Sequence, residues 1–414
     1  MDSLAYEAAL DNTNERNRGR PQCRVLQVFH NLGIGGAETW LMAILRWHKD
    51  ARALLPLDVE IDICLTSGRP EAFDSEAAAL GARIYYMKYS RYDIPSFTSA
   101  FRRLLAQRQY SAIHDHQDIA AGLHFLCGAG ALPPIRIAHF HNPIETIAKG
   151  RLVAGGMGLR RLLLATTATY IAGTSRKVLA DYGISKQRMF GIPCGALYCG
   201  FDTRQYLQDR PTAHRRLCEE FGWPLDSKIV LFVGRLESHF NQKNPKFALE
   251  VVLDCISRDT RIRALFVGAG NGGRRALQEE AMASGAGEKV RFTGQRSDVP
   301  LLMCGADLLL FPSLAEGLGM VAVEAQAAGL PVLASETTPR ECVVVPSLVT
   351  FLSPRLPAIE WARAARGILA TRQPSHDSCT KAVEASPFAI ANSYEALMRL
   401  YLPNHPLAEG AALV

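Results

Sequence analysis

The sequence FPSLAEGLGMVAVEA at residues 311–325 decides the fold of this chain. The apolar run at 308–311 that leads into it is too short for a helix and ends at a proline and a serine, which is typical of a buried strand. A glycine turn follows. A helix is then predicted to begin between residues 318 and 320 and to end at Gly329, because a proline stands just beyond that glycine.

Two glutamates flank the start of the predicted helix. Glu316 and Glu324 are eight residues apart, so at a rise of about 1.5 Å per residue they lie at most about 12 Å apart. Glu316 precedes the positive end of the helix, whose free N–H groups can hold an anion, and Glu324 is predicted to face the same cleft. This suits a ligand with hydroxyls at both ends and negative charge between them, such as a nucleotide sugar. A single acid at this position is more often only a partner of the helix dipole, so neighbouring motifs have to decide.

Length and charge narrow the classes of function. The chain has 414 residues, enough for two domains that each bury a core. Its formal net charge of +6 suits an anionic ligand or an acidic membrane surface and does not require nucleic acid as a partner. The sequence contains no apolar run of about eighteen residues, so no transmembrane helix is predicted.

The amino-terminal residues and the cysteines indicate the compartment. Residues 1–22 are polar where a signal peptide would be apolar, so we predict a disordered tail, no export and a cytoplasmic protein. The ten cysteines are scattered and form no Cys-x-x-Cys pair. We therefore expect reduced, buried cysteines and no metal site.

Short apolar runs alternate with helical patterns along almost the whole chain, which predicts parallel sheets. The expected strands are 25–29, 59–63, 83–86, 112–114, 135–138 and 170–173 in the first half, and 229–233, 264–267, 290–292, 308–311 and 332–334 in the second. A segment rich in charge and proline, residues 201–224, separates the halves. We predict two doubly wound, Rossmann-like α/β domains, at 23–205 and 222–387, around a central cleft that holds the ligand.

A glycine-rich segment follows the first strand, with the sequence HNLGIGGAE at residues 30–38. Gly35 and Gly36 stand between a strand and a helix, where the backbone can approach a phosphate that the helix dipole attracts. On the glycines alone, a plain tight turn explains the segment equally well.

Arg235 and Lys243 flank the loop after the first strand of the second half. Arginine as a fork and lysine as a point charge can together neutralise a pyrophosphate. Without further context, two such cations eight residues apart are usually surface residues.

Histidines stand at alternate positions of two successive strand ends. His139 and His141 are predicted to point the same way, toward the cleft or the core, and residues 114–118, which include His114 and His116, are expected to line the acceptor side. A pair of histidines without a third ligand is weak support for a metal site.

Residues 268–273, GAGNGG, match the dinucleotide-binding fingerprint and raise an NAD-dependent oxidoreductase as an alternative. That fingerprint needs an acid at the end of the next strand to hold a ribose. The next strand ends in Thr293, Gly294 and Gln295. We therefore expect a tight turn under the cleft.

A basic, apolar segment at residues 149–166 is compatible with two roles. It can lie on an acidic membrane surface, where lipid-linked acceptors are found. A buried crossover helix with basic ends explains the same sequence.

Four motifs together resemble the family-4 retaining glycosyltransferases, which have the GT-B fold. The resemblance covers residues 25–401 and rests on the paired glutamates of 313–325, the Gly-Gly-Ala-Glu loop at 35–38, the Gly-Arg-Leu to Lys-Asn pair at 234–244, and the strand-end histidine. The loop between Arg235 and Lys243 is longer than the family's commonest version. Residues 199–202 read Cys-Gly-Phe-Asp where the family often has Asn-Gly-Ile-Asp.

The resemblance implies transfer of a sugar, with its anomeric configuration kept, from a nucleotide donor to a hydroxyl acceptor, as in exopolysaccharide or capsule synthesis. It implies a UDP-sugar donor, a glycan or lipid-linked acceptor, no metal or other cofactor, and a carboxyl-terminal helix at 388–405 that completes the first domain. The implied donor-binding residues are Gly35, Gly36, Arg235, Lys243, Gln295, Arg296, Gly317, Leu318, Gly319 and Glu324. His141 and Glu316 are the implied catalytic residues.

Three alternatives stay open beside this interpretation: a 2-epimerase, an oxidoreductase and a protein that only binds its ligand. Nucleotide-sugar 2-epimerases share the GT-B fold and are a closer alternative than the oxidoreductase. A protein that only binds the ligand is a third possibility. For the glycosyltransferase we expect a cytoplasmic location with peripheral contact at the inner face of the membrane and no nucleic-acid partner.

Overall fold

A computed structural model describes residues 22–144, 151–184, 188–237, 242–371 and 376–404, without the side chains of residues 151–157. The strands of these residues form two sheets, one from each half of the chain.

The first sheet has eight strands in the order β3-β2-β1-β4-β5-β6-β8-β7. Its strands are β1 (Gln22–Phe29), β2 (Asp58–Leu65), β3 (Arg83–Tyr86), β4 (Ala112–Asp115), β5 (Ile135–Phe140), β6 (Tyr170–Gly173), β7 (Arg188–Met189) and β8 (Ile192–Ala196). Neighbouring strands are parallel except β7 and β8.

The second sheet has six parallel strands in the order β11-β10-β9-β12-β13-β14. Its strands are β9 (Lys228–Val233), β10 (Ile262–Val267), β11 (Val290–Gly294), β12 (Leu308–Phe311), β13 (Val332–Ser335) and β14 (Val349–Leu352). In each sheet the chain reverses its direction of winding beside the first strand, between β1 and β4 and between β9 and β12. Ligands of doubly wound sheets bind outside the carboxyl ends of the strands at these two points.

The helices connect the strands and cover both faces of each sheet. They are α1 (Gly36–Ala51), α2 (Asp74–Ala79), α3 (Ile94–Arg108), α4 (Ala121–Cys127), α5 (Arg151–Thr167), α6 (Arg176–Asp181), α7 (Arg210–Phe221), α8 (Pro245–Arg258), α9 (Asn271–Ala283), α10 (Val299–Gly305), α11 (Met320–Ala327), α12 (Ala358–Leu369), α13 (His376–Glu384) and α14 (Ile390–Tyr401). None of the helices in the described residues is long and apolar enough to cross a membrane.

Alternate residues of the central strands pack into different hydrophobic cores, one on each face of the sheet. Val25 and Leu26 belong to clusters on opposite faces of the first sheet, and Ile229 and Val230 do the same in the second. Because both faces are covered, the strands are nearly continuous apolar runs, which is why they were predictable from the sequence.

All eleven predicted runs are strands in the structure, with ends that differ by up to three residues. Three strands escaped the sequence analysis, namely β7, β8 and β14. β7 has two residues, and β8 contains a proline and a glycine that obscure its pattern. Gln22, assigned to the tail by the sequence, is the first residue of β1, and residues 1–21 lie outside the described part.

Two segments run between the sheets and pair with each other. Phe201 donates its N–H to the carbonyl of Phe388 over 3.0 Å, and Ile390 donates to the carbonyl of Phe201 over 2.9 Å. Helix α14 then packs into the core of the first sheet. Gly200 is required here, because a Cβ at this position would lie 2.4 Å from Cβ of Ser393. The domain limits 23–205, 222–387 and 388–405 themselves stay predictions.

Candidate active site

The carboxyl ends of the two sheets touch at Gly317, in the loop between β12 and α11. A Cβ on Gly317 would lie 2.1 Å from the carbonyl oxygen of His141, which follows β5 of the other sheet. Ser175 donates its hydroxyl to the carbonyl of Gly317 over 2.5 Å. The predicted motifs of both halves therefore meet in one cleft.

Lys243 and Glu316 form an ion pair at the point where the second sheet reverses. Lys243 Nζ lies 2.6 Å from Oε1 of Glu316, whose residue is 7% exposed. The stem of Lys243 passes over Gly234, where a Cβ would be 3.0 Å from Cγ of the lysine. The long loop expected between Arg235 and Lys243 lies mostly outside the described residues, at 238–241.

Glu324 lies on α11 and is partly exposed. Burial of its carboxyl raises the pKa of Glu324 to about 7, while the charge of Lys243 lowers it. The helix begins at Met320, as predicted, and Gly319 caps it with φ of +90°, a conformation that favours glycine. Among the described residues no side chain caps this helix, so the N–H groups of its first two residues point toward the cleft side of the turn without a capping side chain, whereas Ala322 donates to the carbonyl of Gly319 over 2.9 Å. The side chain of Leu318 is buried in the core.

The Gly-Gly-Ala-Glu loop faces the second sheet across the cleft. The carboxylate of Glu38 folds over Gly35, where a Cβ would lie 2.3 Å from Oε2, whereas a Cβ on Gly36 would meet open space. Burial raises the pKa of Glu38, and the positive charge of Arg235 lowers it. Glu38 belongs to the Gly-Gly-Ala-Glu motif but was not predicted to be a site residue. Its position opposite Arg235 depends on how the two sheets meet.

Four histidines cluster at the ends of β4 and β5. The ring centroids of His139 and His141 are 4.0 Å apart, as the alternate spacing predicted, and those of His114 and His116 are 4.1 Å apart. His114 and His116 are both buried, so their rings lie beneath the cleft, and the expectation that residues 114–118 line the acceptor side stays a prediction. Nitrogen atoms of His114, His116 and His139 lie within 4.8 Å of one another, so these three rings are the described residues best able to hold a metal ion.

Asp118 fixes the backbone that carries His141. Its carboxylate accepts hydrogen bonds from the N–H groups of His141 (2.6 Å) and Asn142 (3.2 Å) and from the side chain of Asn142 (2.9 Å). Burial raises the pKa of Asp118 to about 6 against the effect of these donors. Burial also lowers the pKa of His141 to about 3. Asp118 was not selected from the sequence, because nothing local indicates which backbone it holds.

Three buried hydroxyl groups around the loop have no hydrogen-bond partner among the described residues. They belong to Thr174, Ser313 and Thr338. Oγ1 of Thr174 would be 3.2 Å from a Cβ on Gly317, and Cγ2 of Thr338 would be 2.9 Å from one on Gly319. Buried hydroxyls of this kind usually have a partner, so a hydroxyl-rich ligand is a natural one.

The residues expected around the nucleotide base lie further along the edge of the second sheet. Gln295 is exposed. Arg296 pairs with Glu220 (2.5 Å) and Asp298 (2.7 Å), so its guanidinium is already held by two carboxylates.

The glycine turn of the alternative cofactor motif packs against protein backbone. A Cβ on Gly268 would lie 1.9 Å from the carbonyl oxygen of Gly234, and one on Gly270 would lie 2.6 Å from the N atom of Glu237. The turn follows β10 and not the first strand of its sheet. These glycines therefore have a packing role, as expected for a tight turn under the cleft.

Two doubly wound sheets that meet at their carboxyl ends define the GT-B architecture. A crystal structure of Anabaena HepE in complex with UDP and glucose has this fold, with a TM-score of 0.72 and 17% identity over 91% of this chain and 98% of that one.

Sequence comparison identifies the family. The model described as Glycosyltransferase Family 4 matches residues 22–196, and the model described as Glycosyl transferases group 1 matches residues 227–371. The Bacillus subtilis protein named "Putative glycosyltransferase EpsF" is 26% identical over 388 residues, which cover 92% of this chain and 96% of the relative. A D-inositol 3-phosphate glycosyltransferase of Corynebacterium diphtheriae is 25% identical and covers 89% of both chains. The chain belongs to the family-4, group 1 glycosyltransferases.

Proposed function

We propose that this glycosyltransferase moves a sugar from a UDP-sugar to a hydroxyl of a glycan or lipid-linked acceptor, with retention of configuration. The observation that carries the proposal is the ion pair of Lys243 and Glu316 at the point where the second sheet reverses. It puts a cation and a hydroxyl-binding carboxylate side by side at the sheet edge where nucleotides bind in doubly wound folds.

The diphosphate would lie between the two sheets. Arg235 and Lys243 would neutralise it from the second sheet, and Gly35, Gly36 and the start of α1 would approach it from the first. When the bond to the sugar breaks, negative charge grows on the leaving diphosphate. Fixed cations and helix N-termini stabilise that charge without reorganisation at the moment of reaction. Metal-independent transfer is therefore part of the proposal, because these cations and helix N-termini would carry the charge of the leaving diphosphate.

The sugar and the ribose would be held by carboxylates and backbone groups. Glu316 and the backbone of residues 317–319 would orient the sugar ring against His141, with the unpartnered hydroxyls of Thr174 and Ser313 within the same loop region. Glu324 would accept hydrogen bonds from the ribose hydroxyls. Gln295 and Arg296 would lie near the base. Because two carboxylates already hold the guanidinium of Arg296, its backbone and not its side chain would contact the base.

UDP is proposed as the nucleotide because HepE, which shares the fold, was crystallised with UDP and glucose. The acceptor side is proposed to touch an acidic membrane at its inner, cytoplasmic face. In the described part of the 149–166 segment, Leu159 and Leu162 are 63% and 54% exposed on α5, close in sequence to Arg160. Apolar and basic side chains on one helix surface favour an anionic bilayer.

The first experiment is thermal unfolding of the protein with UDP, GDP, ADP and NAD in the absence of added metal. A ligand at about a hundred times its dissociation constant stabilises the folded state by about 2.7 kcal/mol. We expect a shift with UDP that is lost in Arg235→Ala and Lys243→Met. The variant Arg275→Ala is the control, because it removes an exposed ion pair on α9.

The retention of configuration needs a separate measurement. The anomeric configuration of the product, read by NMR from a UDP-α-sugar, should remain α. A shift in melting temperature with NAD alone would overturn the assignment, and a sugar epimerised at C2 in the absence of acceptor would favour the epimerase.

A further inference from the structure

Beneath the candidate active site, six polar side chains form one continuous chain of hydrogen bonds, here called the relay. It runs in order through His141, His116, Gln27, Tyr401, His114 and His139. It crosses three strands, reaches Tyr401 on helix α14 and returns to β5, so it joins the carboxyl-terminal helix to the cleft.

The first half of the relay reaches from the cleft to the core. Nε2 of His141 is 2.9 Å from Nδ1 of His116, and Nε2 of His116 is 2.8 Å from Oε1 of Gln27. The amide of Gln27 then donates from Nε2 to the hydroxyl of Tyr401 over 2.7 Å. Gln27 is 1% exposed, so water does not compete for these contacts.

The second half returns from α14 to β5. The hydroxyl of Tyr401 is 2.7 Å from Nδ1 of His114, and Nε2 of His114 is 3.2 Å from Nδ1 of His139. The last nitrogen, Nε2 of His139, has no hydrogen bond of ordinary geometry among the described residues. Burial lowers the pKa of His139, and the backbone of Leu197 offsets only a small part of that effect.

Each histidine of the relay is neutral. Burial lowers the pKa values of His114, His116 and His139 well below the ordinary range, and that of His141 to about 3. A neutral imidazole has one N–H and one lone pair. Each ring therefore donates on one side and accepts on the other, so the hydrogen bonds of the relay all run in one direction.

Only two directions of donation are consistent with neutral rings. In one, His141 donates to His116, His116 to Oε1 of Gln27, Nε2 of Gln27 to Tyr401, Tyr401 to His114 and His114 to His139. In the other, the amide of Gln27 is flipped and every donor becomes an acceptor. The structure has Oε1 of Gln27 beside His116 and its Nε2 beside Tyr401, which is the first direction.

We infer that the relay holds His141 as the Nε2–H tautomer, with Gln27 and Tyr401 as positioning residues, and leaves Nδ1 as a hydrogen-bond acceptor for a substrate hydroxyl. His141 is the only one of the four rings that is not buried. An unprotonated Nδ1 can accept from a hydroxyl group but repels a phosphate oxygen. The identity of the ligand in this inference rests on the proposed function. The tautomer of His141 does not depend on it.

The test compares two tyrosines of α14. Tyr401→Phe breaks the relay between Gln27 and His114, whereas Tyr394→Phe removes a hydroxyl that is 2.7 Å from Nδ1 of His48, a histidine outside the relay. Tyr401→Phe loses two buried hydrogen bonds and Tyr394→Phe loses one, all made by hydroxyls of the same helix. Proton–nitrogen correlation NMR of ¹⁵N-histidine-labelled protein distinguishes the two tautomers without any substrate, and His141→Gln assigns the signal.

We expect wild type and Tyr394→Phe to show only Nε2–H for His141, and Tyr401→Phe to show a mixture. If the two tautomers become equally populated, kcat/KM of Tyr401→Phe falls about twofold, because only half of the protein has the competent tautomer. UDP-glucose should perturb the Nδ1 signal beyond the effect of UDP. A wild-type Nδ1–H tautomer, a metal ion bound to these rings, an unchanged spectrum in Tyr401→Phe, or an Nδ1 perturbation by UDP alone would each overturn the inference. If the tautomer result holds but no sugar transfer is detected, the proposed function is wrong and the inference about the tautomer of His141 stands.

Discussion

At the scale of single residues, the cleft collects groups whose charge is controlled by their surroundings. Asp118 and Glu324 are carboxyls whose burial raises their pKa values to about 6 and about 7. Glu324 has the positive charge of Lys243 near it, yet burial has the larger effect. Perturbed acids in a cleft are typical of functional sites, although structural networks produce them as well.

Glu324 gives the pH prediction. Its pKa is above the ordinary value of 4.5, so the folded state binds the proton more tightly than the unfolded state does. This contribution to stability is complete below about pH 4.5 and is lost as the pH rises through about 7. Glu324→Gln stays neutral, so its melting temperature relative to wild type should rise between these pH values and level off above them.

The measurement is a series of melting curves from pH 4 to 9. Glu279→Gln is the control, because Glu279 is exposed on α9 and its variant should show no such trend. Parallel curves for wild type and Glu324→Gln would mean that the carboxyl is not buried in the folded protein.

At the scale of elements, the short helix α6 joins the two halves of the molecule. Ser175 caps it by accepting from the N–H of Val178 over 3.0 Å, and the same hydroxyl donates to Gly317 of the other sheet. Glu341, from the second half, accepts from the N–H groups of Arg176 and Lys177 over 2.9 and 3.3 Å. The first turn of this helix therefore receives partners from both halves.

Ser175→Ala should separate capping from contact between the sheets. The control is Asp209→Ala, since Asp209 caps α7 and its carboxylate accepts only from Thr212 among the described residues. Loss of either cap should lower the free energy of unfolding by about 1 kcal/mol. Only Ser175→Ala should also lower kcat/KM, because it releases the loop at Gly317. Equal activity of the two variants would show that this contact does not support catalysis.

At the scale of the whole molecule, the two halves are in contact at Gly317, which closes the cleft there. The carbonyl of His141 and the hydroxyl of Thr174 leave no room for a side chain there. Met320, at the start of α11, packs against the cores of both sheets and adds an apolar contact to the polar ones. The two paired segments at Phe201 and Ala389 are the covalent connections around which the halves can move.

Gly317→Ala should hold the halves apart. Overpacking of this kind costs about 1–3 kcal/mol, which corresponds to about a 5- to 150-fold loss in kcat/KM if closure is needed for transfer. Gly272→Ala is the matched control, because a Cβ at that helix position meets nothing within 4 Å. Small-angle X-ray scattering should report a larger radius of gyration for Gly317→Ala alone. Full activity of that variant would contradict a closed active form.

Much of the fold and part of the site could be predicted from local patterns. Strands buried on both faces are short apolar runs, and the motif at Glu316 and Glu324 lies where one such strand becomes a helix. The missed elements lack this signal, as in β8 with its proline. Beside the alternate histidines, Gln27 was a further local clue from which no prediction was made, since a glutamine within an apolar strand has to find a buried partner.

The sequence by itself determined the alternation of strands and helices in two halves and the strand ends at which the motifs stand, because both depend on residues close together in the chain. Only the tertiary structure decided which groups act together across the cleft. Gln27 and Tyr401 are 374 positions apart, and Ser175 and Gly317 are 142 apart. Such pairs depend on how helix α14 and the two sheets pack, and no local pattern of residues encodes that packing.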